Sequence, residues 1–109
     1  MLTRKTPTAL ATALTIKGQG TEETFNVTYK VRSQEEIDKA FADAALQPEA
    51  KDDPGYANRQ SVLFIVESME AEYPLTDEGI KELEADRPGM IEVLFYGYHK
   101  ARRVELVKN

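Results

Sequence analysis

Two alternating runs either side of a glycine-rich connection restrict this chain more than any other feature. In Ala9–Ile16, the residues Leu10, Thr12, Leu14 and Ile16 fall on one side. In Thr24–Val31, Phe25, Val27, Tyr29 and Val31 do the same. Period two with β-branched and aromatic residues is the pattern of a half-buried strand. Between the runs lies Lys17-Gly-Gln-Gly-Thr-Glu-Glu23, whose two glycines and three charges predict a turn or flexible loop, and so a β-hairpin. Two strands alone are marginal in water. Their apolar face must therefore pack on helices or on another subunit.

The rest of the chain supplies helices. Ser33-Gln-Glu-Glu36 is a capping box, followed by Ile37, Ala40, Phe41 and Ala44 at helical spacing, which predicts a helix from Gln34 to about Leu46. Gln47–Gly55, with Pro48, Pro54 and Gly55, reads as a loop. Val62-Leu-Phe-Ile-Val66 suits a buried strand by its β-branched content. A helix from about Tyr56 to Glu70 instead places Val62, Ile65, Val66, Met69 and Tyr73 on one face, and this longer register favours helix. Pro74 stops that element. Thr76 is the N-cap of a short helix with Asp77 and Glu78 in its first turn and Ile80 and Leu83 inside. Pro88 suits the first turn of a final helix running nearly to the C-terminus. On that helix Ile91, Leu94, Phe95, Tyr98 and Ala101 form one stripe, with Glu92, Tyr96, His99 and Arg103 opposite. The expected fold class is α+β: an N-terminal β-hairpin packed on a three- to four-helix bundle, one domain over 1–109, with a hairpin region at 1–32 and a helical region at 33–109.

Composition fits a single folded domain: 109 residues, 41% hydrophobic and 30% charged, leave little room for a second core. With no cysteine, disulfides and thiolate metal sites are excluded. The longest apolar run is Val62–Val66, too short to span a bilayer, and the first residues lack the apolar segment of a signal peptide. A soluble intracellular protein with no membrane partner is the expectation. Charge is polarised. Residues 1–32 hold five Lys/Arg against two Asp/Glu, residues 33–92 five against sixteen, and residues 93–109 four against one. An acidic middle repels phosphates, which argues against a nucleic-acid partner.

No constellation of residues points to catalysis. His99 is the only histidine, and without cysteine a metal site there would rest on carboxylates alone. Ser33, Ser61 and Ser68 each lack the Gly-x-Ser-x-Gly turn, and Ser33 already has a capping role. Gly18-Gln-Gly20 lacks the strand-to-helix setting of a phosphate-binding loop. Glu67 and Glu70 read as helix neighbours on a solvated face. The expectation is a non-enzyme with no cofactor and no metal. Tyr96 is different: an aromatic among charges either lies under the hairpin as core or marks a protein contact. In the second case Tyr96, His99, Lys100 and Arg103 form a partner-binding face.

The stretch from about Phe64 to Asn109 resembles the tail assembly chaperones of long-tailed bacteriophages. The matching residues are Pro74-Leu75-Thr76, Ile80, Leu83, Arg87-Pro88-Gly89, Ile91, Tyr98, Ala101 and Lys108-Asn109. Such proteins often carry a tryptophan after the middle apolar stretch, where this chain has Glu67-Ser68-Met69. The resemblance implies a non-catalytic scaffold of the host cytoplasm, absent from the mature virion. It would bind the helical tape measure protein and assist recruitment of tail tube subunits. A minor structural protein of the tail or head–tail connector is the alternative; such components usually assemble as stable rings.

Overall fold

The computed structural model describes residues 1–107. The alternating runs pair as an antiparallel hairpin, β1 (Ala9–Gly18) with β2 (Thr21–Lys30), in register from Ala9↔Lys30 to Gly18↔Thr21. The connection is tighter than the loop expected over Lys17–Glu23. Only Gln19 and Gly20 lie between the strands, with φ of 52° and 78°. Positive φ at both central residues matches the twist of a two-residue hairpin turn. Lys17 and Glu22 are accordingly drawn into the ladder as a facing pair.

The first helix, α1 (Gln34–Ala45), starts as the capping box requires. Ser33 Oγ accepts from Glu36 N–H at 3.0 Å, and the Glu36 carboxylate accepts from Ser33 N–H at 2.8 Å. Hydrogen bonding from Ser33, its backbone N–H first and its side chain second, holds the Glu36 carboxyl below its ordinary range. A single 3-10 turn, Pro48–Ala50, follows inside the predicted loop. Next comes α2 (Tyr56–Ile65), with Val62 and Ile65 fully buried.

The helix predicted over Tyr56–Glu70 is half right. It ends at Ile65, and Val66–Met69 forms β3, which pairs antiparallel with β2 in a three-stranded sheet of order β1-β2-β3. The physical reason is the unpaired edge of β2. Extending helix would have left those backbone groups bare, whereas Val66–Met69 satisfies them, and Glu70 N–H continues the ladder onto Asn26 C=O at 2.8 Å. A shift of register between Thr28 and Tyr29 marks a bulge there. Glu67 and Glu70 are thus not helix neighbours; Glu70 turns its carboxylate onto Asn26.

Thr76 caps α3 (Asp77–Asp86) as expected, accepting from Gly79 N–H at 3.0 Å, and Ile80 and Leu83 are buried. The last helix, α4 (Met90–Arg102), starts later than predicted: Pro88 precedes the helix, and Gly89 at φ 104° is its N-cap. Glycine offers no capping side chain, and Glu84 of α3 substitutes for one. Its carboxylate accepts from Gly89 N–H at 2.7 Å and Ile91 N–H at 2.9 Å. The helix also ends earlier, at Arg102, with Arg103 extended and 104–107 irregular; Lys108 and Asn109 lie outside the described residues.

The helices cover one face of the sheet. Leu94 and Tyr98 of α4 are buried, and Tyr29 and Tyr98 meet edge to face at 5.5 Å. Tyr29 Oη donates to Leu94 C=O at 2.8 Å; Tyr98 Oη donates to Arg32 C=O at 2.6 Å and accepts Arg32 N–H at 2.9 Å. Burial pushes the Tyr29 phenol far above its ordinary pKa, so it stays a donor. Gly97 permits this approach, because a Cβ there would lie 2.7 Å from both Leu14 Cδ2 and Tyr29 Oη. The chain is therefore α+β, with four α-helices and a three-stranded sheet among the described residues.

Candidate partner-binding face

Two helices leave a groove between them. The walls are Gln34, Ile37, Asp38 and Phe41 from α1, and Phe95 and His99 from α4, with Ser61 of α2 between. It is open, with a volume of about 300 Å³, at the lower limit for small-molecule pockets. Its apolar walls are Ile37, Phe41 and Phe95. Phe41 is 44% exposed, and Phe95 is only half-buried. The helical period explains this: α1 turns Ile37 and Ala44 inward, and Phe41, one turn from Ile37, lands at the margin.

The structure separates the four residues predicted as a partner face. Tyr96 is 68% exposed, so it is not core under the hairpin. His99 and Lys100 are exposed on the last turns of α4, where basic groups complement the helix dipole. His99 lies in the groove wall. Tyr96 sits three residues earlier, roughly 60° round the helix from His99, on the crest above the groove. Arg103 is the C-cap and has left the helical face; it pairs with Glu105 at 3.6 Å. Of the expected quartet, His99 therefore joins Phe41 and Phe95 in the groove, Tyr96 and Lys100 form an exposed rim on α4, and Arg103 lies at the helix end beyond it.

Ser61, His99 and Asp38 share the groove without forming a hydrogen-bonded relay. Ser61 is buried, and its hydroxyl donates to Ala57 C=O at 2.9 Å within its own helix. Among the described residues, no group of three or more His, Cys, Asp or Glu is placed to hold a metal ion. No helix of the described residues is long and apolar enough to cross a membrane.

A second polar cluster was not foreseen. Arg59 of α2 is only 5% exposed, and its guanidinium is held by two carboxylates. Nε donates to Asp77 Oδ1 at 3.0 Å and Nη2 to Asp77 Oδ2 at 3.2 Å. Nη1 donates to Asp53 Oδ1 at 3.3 Å, and a further contact joins Nη2 to Asp53 Oδ2. Gln60 adds a bond to Asp77 at 3.2 Å. Hydrogen bonding to Arg59 holds the Asp53 carboxyl below its ordinary 3.8. The cluster ties the 47–55 loop to α2 and the start of α3, and it is a fastener rather than a reactive centre. Sequence periodicity carries no signal for it, since the three charges are 6 and 18 residues apart in pairs with Arg59.

No family model, no curated protein and no solved structure matches this chain.

Proposed function

We infer that this protein is a non-catalytic binding module that holds a helical protein partner along the α1–α4 groove, and that it serves as a tail assembly chaperone for a tape measure protein. The observation that carries the binding reading is Phe41: a large apolar side chain 44% exposed beside the half-buried Phe95, in an open groove between two helices. An amphipathic helix docks in such grooves by side chains at i, i+3 and i+4. Charge supports one direction of docking. Acids line α1, with Glu35 and Glu36 in its first turn, whereas His99, Lys100 and Arg102 occupy the last turn of α4. A partner helix with basic residues along one flank and acidic residues along the other suits this arrangement.

The chaperone reading rests on the resemblance of Phe64–Asn109, together with the absence of any reactive constellation in the residues themselves. In that role the protein acts in the host cytoplasm, leaves the assembly before the virion is complete, and assists addition of tail tube protein.

The test is binding of the tape measure protein, measured by titration calorimetry, with thermal melting run alongside. Phe41→Ala and the Tyr96→Ala, Arg103→Ala double variant are each expected to weaken binding roughly thirtyfold, the cost of removing about 2 kcal/mol at a hot spot. At these exposed positions the cost in stability should stay below ~1 kcal/mol, a melting-temperature shift of no more than about 4–8 °C. Unchanged affinity in both variants removes the groove and its rim from consideration.

A further inference from the structure

Over Ala9–Ile16 the outer edge of β1 lacks the devices that usually protect a strand edge, and the strand's one charge, Lys17, stands beside the turn. Across Ala9–Ile16 there is no proline, no charge and no bulge. The ladder also fixes which backbone groups point outward. Val31 N–H donates to Thr8 C=O at 3.0 Å, so Thr8 and Val31 form a hydrogen-bonded pair. Hydrogen-bonded and non-hydrogen-bonded pairs alternate in an antiparallel ladder. Leu10, Thr12, Leu14 and Ile16 therefore bond to β2, while Ala9, Ala11, Ala13, Thr15 and Lys17 direct N–H and C=O away from it. Thr15 Oγ1 and Thr24 Oγ1, 2.8 Å apart, fit the closer side chains of a non-hydrogen-bonded pair. Among the described residues no backbone hydrogen bond reaches this outer edge.

We propose that this edge pairs with the same edge of a second copy, antiparallel about a two-fold axis, to give a dimer with a continuous six-stranded sheet. The argument is the match of the strand to its own reverse. With the axis at Ala13, Ala13 faces its symmetry mate, Ala11 faces Thr15 of the second copy, and Ala9 faces Lys17. All outward-pointing residues then exchange hydrogen bonds. The same register sets Leu10 opposite Ile16 and Thr12 opposite Leu14, all on the helix-covered side. These four are only half-buried in one copy, as is Val93 beside Ile16, and the mate covers them. The sole charge in the register, Lys17, meets alanine rather than a like charge. Small side chains at Ala9, Ala11 and Ala13 leave the approach open.

The opposite edge explains why growth stops at two. β3 has four residues, a bulge in its pairing with β2, and Glu67 within the strand. A short, bulged, charged edge does not template another strand, so the two-fold contact closes the assembly. The dimer is independent of partner binding in the α1–α4 groove, because it uses β1 alone for its hydrogen bonds.

The experiment is sedimentation velocity of the whole protein from micromolar to millimolar concentration, with circular dichroism for folding. The expected species has twice the 12.3 kDa chain mass. Ala13→Pro removes an outward N–H without breaking any bond to β2, so it is expected to give a folded monomer. Ala13→Asp sets two carboxylates against each other at the axis while leaving the single chain's ladder intact. It is expected to be monomeric where the parent is dimeric, and it decides the matter if the proline variant fails to fold. A parent protein that stays monomeric throughout overturns the proposal. So does a folded Ala13→Asp protein that remains dimeric, or a parent that forms an open series of larger species.

Discussion

On one side of α2 the guanidinium of Arg59 is enclosed by Asp53 and Asp77, and the start of α3 is clamped beneath Pro74. On the other side Ser61 forms part of an open groove edged by Phe41 and Phe95. Arg59 and Ser61 are two positions apart, so one helix presents both environments, roughly 200° round its axis. The first side satisfies its polar groups with one another and leaves nothing for a partner. The second leaves apolar surface in water and forgoes the stabilisation that covering it would give. The ion-pair cluster and the groove proposed for binding thus lie on opposite faces of the same element.

That contrast predicts how substitutions separate. Gly79→Ala should have the largest effect, because a Cβ there would lie 2.0 Å from the Pro74 carbonyl oxygen, within the backbone itself. A loss of ~3 kcal/mol or more is expected by denaturant titration, with the contacts of α3 disturbed. A cost below about 1 kcal/mol would show that the clamp is looser than its geometry implies.

Arg59→Met keeps an apolar stem and removes the charge. Asp53 and Asp77 keep about a third of their side chains in water (31% and 33% exposed), so they are resolvated rather than stranded. The expected loss is about 2 kcal/mol, below the range for a fully buried pair. Its pH dependence gives a sharper signature. The folded-state carboxyl of Asp53 titrates below its ordinary 3.8, so its contribution is present above that value and disappears as pH falls through the folded pKa. An acid titration of stability should be shallower below pH 3.8 in Asp53→Asn than in the parent. Identical acid limbs would remove this pair from the account.

Glu84→Ala removes the carboxylate that caps α4 from α3. About 1 kcal/mol should be lost, near the usual value of an N-cap, together with faster amide exchange at Gly89 and Ile91. On the open side the effects on stability should be smallest. Phe41→Ala is expected to change folding free energy by less than ~1 kcal/mol, because nearly half of the ring is already in water. A larger loss would move Phe41 into the core and dissolve the contrast between the two sides.

Local rules identified much of this arrangement. The Ser33 capping box, the Thr76 cap and the inward positions of Val27, Tyr29, Ile80, Leu83, Leu94 and Tyr98 were all legible, since each depends on a pattern of period two or 3.6 or on a side chain near its own backbone. The exposed position of Tyr96 followed from the same helical period, although the alternative of a buried ring could not be removed by spacing alone. Phe41 was assigned to the inner face of its helix, and its exposure at a groove was not legible. Periodicity gives a direction from the helix axis and says nothing of whether a neighbouring element arrives there.

The sequence by itself determined where α1, α2 and α3 begin, that a hairpin joins the first two strands and which faces are apolar, because those choices are settled within a few residues. Tertiary structure decided what depends on partners distant in the chain. Val66–Met69 leaves its helix because β2 offers an unpaired edge, Arg59 enters the interior because Asp53 and Asp77 converge on it, and Gly97 is needed because Leu14 and Tyr29 approach α4 closely. Each of those outcomes rests on satisfying buried polar groups or filling space between elements, and neither requirement exists until the elements meet.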